Sequence, residues 1–240
     1  MPNIALWTAI LALIAGGSAM AQPAVLPARH EIVVRQSPKG EVRLGVTIRG
    51  QGPVVLLIPS LGRGAADFDD LATRLADAGY EAAAIDPRGV GDSAGPMQGL
   101  TMADFADDVA AVAARLSPGP VVLVGHAFGN RVARATAAAH PAQVSALVLL
   151  AAGGQVKIAP DIAKALNDVF EPLYPESHHA AVAKAFFASG NDASVWDGGW
   201  YKPTKEAQMA ALRATGPETW TGAGSAPILI IQARDDVVAP

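Results

Sequence analysis

Two kinds of hydrophobic pattern run along this chain, and one gives way to the other at Val54. Between Glu31 and Arg49 apolar and polar residues alternate, with Val42, Leu44, Val46 and Ile48 at every second position. Period two sends successive side chains to opposite faces of a strand, one buried and one wet. The stretch predicts two strands, Glu31 to Gln36 and Glu41 to Arg49. Pro38-Lys39-Gly40 joins them as an antiparallel hairpin at a sheet edge. From Val54 onward the apolar runs are continuous: Val54 to Ile58, Ala82 to Ile85, Val121 to Val124 and Ala146 to Ala151. Such runs suit strands covered on both faces. Helical spacing fills the gaps. Phe68, Leu71, Leu75 and Ala78 precede a stop at Gly79. Thr101 to Leu116 starts with Thr101 as N-cap and has Asp104 at the third helical position. Phe128 to His140 ends at Pro141. Strands alternating with helices predict an α/β fold with a doubly wound, mostly parallel sheet.

The rhythm breaks between residues 154 and 224. This stretch carries Trp196, Trp200, Trp220, Tyr174 and Tyr201, and it is too long for a plain crossover. It predicts a helical insertion, a cap or lid. Alternation resumes with Pro227 to Ile231, expected to be a short buried strand. The N-terminus differs in kind. Ile4 to Ala15 is almost purely apolar, and Ala19-x-Ala21 forms a small-x-small cleavage site. The run is too short to span a bilayer and reads as a secretory signal peptide cut after Ala21, with the mature protein periplasmic or secreted. The expected organisation is a signal peptide at 1–21, a linker at 22–30, a first core segment at 31–153, the cap at 154–224 and a second core segment at 225–240.

Composition narrows the class. A chain of 240 residues suits one α/β domain with an insertion, and 51% apolar residues supply a sizeable core. A net charge of −4 without a basic stripe argues against nucleic acid. The chain holds no cysteine, and a domain of this size folds without disulfides.

The chemistry concentrates in four segments. Val121 to Asn130 reads as a strand, a sharp turn at Gly125-His126-Ala127-Phe128-Gly129, and a helix. Asp86-Pro87-Arg88-Gly89-Val90-Gly91-Asp92-Ser93 follows a strand directly. Pro59-Ser60-Leu61-Gly62-Arg63-Gly64 forms a glycine-rich loop after the first continuous strand. Gln232-Ala233-Arg234-Asp235-Asp236 leads to Pro240. Together these segments resemble the α/β-hydrolase family over residues 31–240. The first matches the G-x-S-x-G nucleophile elbow, with Ala127 where the family carries its serine. The second is similar to the family's D-x-R-G-x-G-x-S turn, whose expected role is to shape a loop.

The resemblance implies the rest of the site. Ala127 takes the nucleophile position and Asp236 the position of the triad acid, with Asp235 as the neighbouring alternative. The oxyanion hole falls to the backbone N–H of Phe128 and to that of Ser60 or Leu61. Pro59-Ser60 stands where many relatives have His-Gly, so which N–H donates stays open. His126, the elbow neighbour, is expected to point into the sheet packing, and a loop hydroxyl such as Ser60 is more often a turn former than a nucleophile. Trp196, Trp200, Tyr201 and Trp220 are candidate pocket liners, against the alternative that they form the cap's own core. The family's histidine follows its acid, and no histidine follows Asp236. The last strand and helix of such a sheet are therefore expected beyond Pro240, leaving an unpaired strand edge and apolar surface. No cofactor and no metal are expected. The implied reaction is hydrolysis of an ester or related acyl bond of a small apolar substrate, silent in this sequence because a methyl group cannot attack a carbonyl. The alternative is a non-catalytic pseudo-hydrolase that binds a small molecule or a protein partner, with no membrane span.

Overall fold

The computed structural model describes residues 27–153 and 157–239. The expected signal peptide and most of the linker lie outside the described residues. Seven strands form one sheet in the order β1-β2-β4-β3-β5-β6-β7. The strands are β1 (Arg29–Ser37), β2 (Gly40–Arg49), β3 (Val54–Ile58), β4 (Glu81–Ile85), β5 (Val121–His126), β6 (Val144–Leu150) and β7 (Ile228–Ile231). β1 and β2 form the expected hairpin, and β2 pairs antiparallel with β4. All remaining pairs are parallel. The helices are α1 (Asp69–Asp77), α2 (Met102–Leu116), α3 (Phe128–Ala139), α4 (Pro160–Asp168), α5 (Pro175–Phe186) and α6 (Lys202–Arg213).

The continuous apolar runs are covered on both faces. Along β3, Leu56 and Ile58 join the cluster built with α2 and α3, while Val55 and Leu57 pack with Phe68 and Ala72 of the α1 side. β4 divides the same way, Ala83 and Ile85 against Ala82 and Ala84. Pleating accounts for both, because neighbouring side chains leave a strand in opposite directions. The helices between β6 and β7 hold a cluster of their own, with Phe170, Val182 and Ala185 at its centre and Trp196 and Trp200 against it.

β7 departs from expectation. Ile228, Leu229, Ile230 and Ile231 are 46, 56, 62 and 53% exposed, although the sequence reads as a buried strand. β7 is an edge strand paired only with β6, and no described helix packs over its faces. An apolar run states that a strand suits burial; what covers it is a tertiary matter.

The Asp86–Ser93 turn is structural. Arg88 is fully buried and makes a bidentate pair with Asp108, at 2.7 and 2.9 Å, and Asp108 also accepts from Arg35 at 2.8 Å. Ser93 Oγ donates to Asp86 O and accepts the Gly45 N–H, which fixes the loop on β2. The Asp86 carboxylate accepts the Ala65 N–H at 2.7 Å; burial pushes its pKa up against that hydrogen bond. Thr204 of α6 donates to Arg88 O, so this turn also anchors the helices between β6 and β7.

Candidate active site

The chain leaves β5 and enters α3 through one residue. Ala127 lies at φ 46°, ψ −107°, a region that side-chain-bearing residues rarely adopt. The turn survives because its neighbours are small. A Cβ on Gly129 would stand 2.2 Å from Ile58 O, and one on Gly125 2.5 Å from Gly129 O. Both distances are well inside contact, so the two glycines are a steric requirement of the β3–β5–α3 junction. Hydrogen bonds fix the turn from both sides. The Ala127 N–H donates to Leu150 O at 2.9 Å, and Ala127 O accepts the Asn130 N–H at 3.2 Å. The buried Asn130 side chain donates to Ala127 O and, at 2.8 Å, to Ala152 O. Ala127 is thereby held at the C-terminal end of the sheet, where open parallel sheets place their ligands.

The Pro59–Gly64 loop faces this turn and is held by α6. The Gly62 N–H donates to the buried Gln208 Oε1 at 2.8 Å, and Gly62 O accepts the Tyr201 N–H at 2.9 Å. Among the described residues, neither the Leu61 nor the Phe128 N–H donates to a protein acceptor.

Ser60 and Ala127 stand where two cavities meet. One, of about 750 Å³, is lined also by His126, Phe186, Trp196, Asp235 and Asp236. The other, of about 530 Å³, is lined also by Leu61, Phe128, Arg131, Lys205 and Arg213. The structure therefore gathers Ala127, Phe128, Ser60, Leu61, Asp236 and Trp196 around one space. Asp236 has a second duty there. Its Oδ1 accepts the N–H groups of Val238 at 2.9 Å and Ala239 at 2.7 Å, and its Oδ2 accepts from Gln232 at 3.0 Å. It closes its own turn while bordering the cavity.

Other expected residues fall elsewhere. Trp200 borders neither cavity. It packs in the aromatic cluster of the β6–β7 segment, 5.2 Å from Phe170 and 5.1 Å from Phe186 between ring centroids. Tyr201 faces a different cleft beside Asp67 and Asp86. Trp220 packs on the core beside Arg131 and Arg134. Long loops decide which aromatics meet, and no sequence period encodes that.

His126 also corrects an expectation. Its ring does not turn into the sheet; it lines the larger cavity, 5.9 Å from the Trp196 ring. At the last residue of β5 the side chain has run past the sheet and meets the β6–β7 segment instead. Burial holds its pKa below the usual histidine value, the Arg63 charge adds to this, and Asp67 and Asp236 oppose it. The other described histidines are engaged away from the cavity: His30 with Asp92, His140 with Asp107, His178 with Val169 O and His179 with Asp197.

Sequence reading passed over Arg63, Gln208 and Arg131. Arg63 is 3% exposed. It makes a bidentate pair with Asp67, donates to Gly198 O at 2.6 Å and stacks on Trp196 and Trp200, 4.6 and 4.3 Å from the ring centroids. It joins the loop after β3 to the segment between β6 and β7 by contacts far apart in sequence. Arg131 was within reach of the pattern: it lies four residues after Ala127, in the first turn of α3, and both border the smaller cavity.

With this geometry in view, comparison with known proteins decides the family. The serine aminopeptidase S33 description (Hydrolase_4) matches residues 51–240. The chain belongs to the α/β-hydrolase family. Among its relatives, a 2-(acetamidomethylene)succinate hydrolase of Mesorhizobium japonicum is 33% identical over 123 residues, 51% of this chain and 44% of that protein. A protein of Variovorax paradoxus described as "Putative carbamate hydrolase RutD" is 31% identical over 204 residues, 79% of this chain and 76% of that protein. The chain thus spans less than half of the first relative and about three quarters of the second. Among solved structures, an esterase from Exiguobacterium antarcticum superposes with a TM-score of 0.70 at 22% identity, covering 87% of this chain and 83% of that one. That likeness shows the fold, as does the mostly parallel sheet with its flanking helices.

Proposed function

We propose that this fold is built for acyl transfer to water, and that Ala127 makes this sequence a receptor for its substrate rather than a catalyst. The observation that carries the reading is the backbone of Ala127, held at positive φ on a strand-to-helix turn that borders a cavity. A side chain at 127 points at whatever the cavity holds. A serine there would attack an ester or related acyl carbon, as the relatives named for hydrolysis of 2-(acetamidomethylene)succinate and of a carbamate suggest. The oxyanion would meet the Phe128 N–H and the N–H of Leu61 or Ser60, and Asp236 would orient a histidine and stabilise its charged form. Alanine supplies no lone pair. Removing the nucleophile of such a triad costs about a million-fold in rate in a serine protease, leaving oxyanion stabilisation and binding.

The same methyl group supports the second reading, a pseudo-hydrolase whose pocket binds a small molecule. Export rests on the apolar run and small-residue cleavage site near the N-terminus.

Ala127→Ser separates the two readings. Tested in the full-length protein, it should hydrolyse p-nitrophenyl esters at least a thousand-fold faster than the alanine parent. A correctly folded serine variant that is inert towards short and long acyl esters would overturn the hydrolase reading and leave the binding one.

A further inference from the structure

The two cavities that meet at Ala127 differ in charge. In the larger one, Lys184 is paired with Asp161, and Arg234 stands with Asp235 and Asp236. The smaller one is lined by Arg131, Lys205 and Arg213, with Glu206 as its acid. Among the described residues none of these three cations forms an ion pair, whereas nearby Lys202 pairs with Glu171. Arg131 is half-buried. Its guanidinium lies 5.8 Å from the Trp220 ring, and Arg134 on the next turn adds a like charge rather than a counter-charge. The Lys205 ammonium lies 5.2 Å from the Phe170 ring. A half-buried guanidinium without an anion loses hydration and gains little in return. Such a group is characteristic of a site whose counter-ion arrives with the ligand.

We propose that the smaller cavity receives a carboxylate on the substrate, held by Arg131 and Lys205, so that the scissile bond of a carboxylate-bearing ester lies across Ala127. This rests on the hydrolase reading for the scissile bond, and it replaces the apolar substrate expected from the sequence. Arg131 is the directing residue. It lies one turn into α3 from Ala127, on the backbone that also carries the Phe128 N–H. A planar guanidinium grips a carboxylate by two parallel hydrogen bonds and so fixes direction as well as affinity.

The chain with Ala127 is suited to the test, because an ester can sit in it uncleaved. Binding of monomethyl succinate and of neutral dimethyl succinate is measured by calorimetry and by tryptophan emission, with inorganic phosphate as competitor. The monoester should bind about tenfold or more tightly than the diester, the range for one charge-assisted contact. Arg131→Met should reduce that preference to less than threefold while diester binding stays. Lys205→Met, on another element, gives an independent reading should Arg131→Met fold poorly. Equal binding of the two esters, no binding of either, or a preference that survives both substitutions would overturn the proposal. So would phosphate competing as well as the monoester, which would make the cavity a general anion site. None of these outcomes depends on turnover, so failure here is distinct from failure of Ala127→Ser to hydrolyse neutral esters.

Discussion

Ala127 occupies a backbone region costly for any residue with a Cβ, of order 1–3 kcal/mol at such sites. The strain stays in place because Gly125 and Gly129 let β3, β5 and α3 approach closely and because Leu150 O and Asn130 hold the turn. Ala127→Gly removes the Cβ and keeps the hydrogen bonds. It should therefore stabilise the fold by about 1 kcal/mol in urea titration, the usual gain when glycine takes a positive-φ site. A loss of stability would mean that the alanine methyl has packing value on the cavity wall. At this scale the two glycines and the position of Ala127 were legible, because a tight junction leaves its mark as spacing. Arg63 and Gln208 were not. Their partners Gly198 and Gly62 stand 135 and 146 residues away in the chain, and no local pattern records such a contact.

Among the elements, α2 shows how a sequence signal becomes an electrostatic device. Thr101 was readable as an N-cap with Asp104 three residues on, and the structure makes that carboxylate a hub. Its Oδ2 accepts the Thr101 N–H at 2.7 Å, the Thr101 hydroxyl at 2.8 Å and the Lys39 ammonium at 2.6 Å. Burial alone would raise the Asp104 pKa; Lys39 and Thr101 outweigh it, and the net direction is down. A carboxylate lowered in the folded state adds stability that is present above the ordinary aspartate value and lost as pH falls through its folded one. Asp104→Asn should thus cost about 1 kcal/mol at neutral pH, a typical value for a lost cap, and the difference should begin to shrink near about pH 4 and fade as pH drops further through the lowered Asp104 pKa. Thermal melts of both proteins from pH 3 to 8 check it, and a deficit unchanged at low pH would mean that the loss is steric. Helix caps, hairpin alternation and doubly covered strands were all legible because they are set within a few residues. The exposure of β7 was not, since Ile228–Ile231 reads the same whether or not anything covers it.

For the molecule as a whole, the two edges of the sheet are unlike. β1 carries Arg29, Glu31 and Arg35, engaged with Glu81, Arg115 and Asp108, and charge on an edge discourages pairing with another sheet. β7 offers four consecutive exposed aliphatic residues. A protein of these 240 residues should self-associate as its concentration rises, and Ile230→Lys should restore a monomer in sedimentation velocity. An unchanged sedimentation profile would place the contact elsewhere. The junction at Arg63 has a different consequence. One guanidinium, anchored on Asp67, holds the Gly198 carbonyl and the faces of two indoles, so the segment that carries them cannot lift without releasing the carbonyl and both rings together. Cations and carboxylates near indoles alter their emission, so Trp196 and Trp200 amount to a built-in optical gauge. Were that segment to lift, the change should register in the protein's own fluorescence, with no label attached.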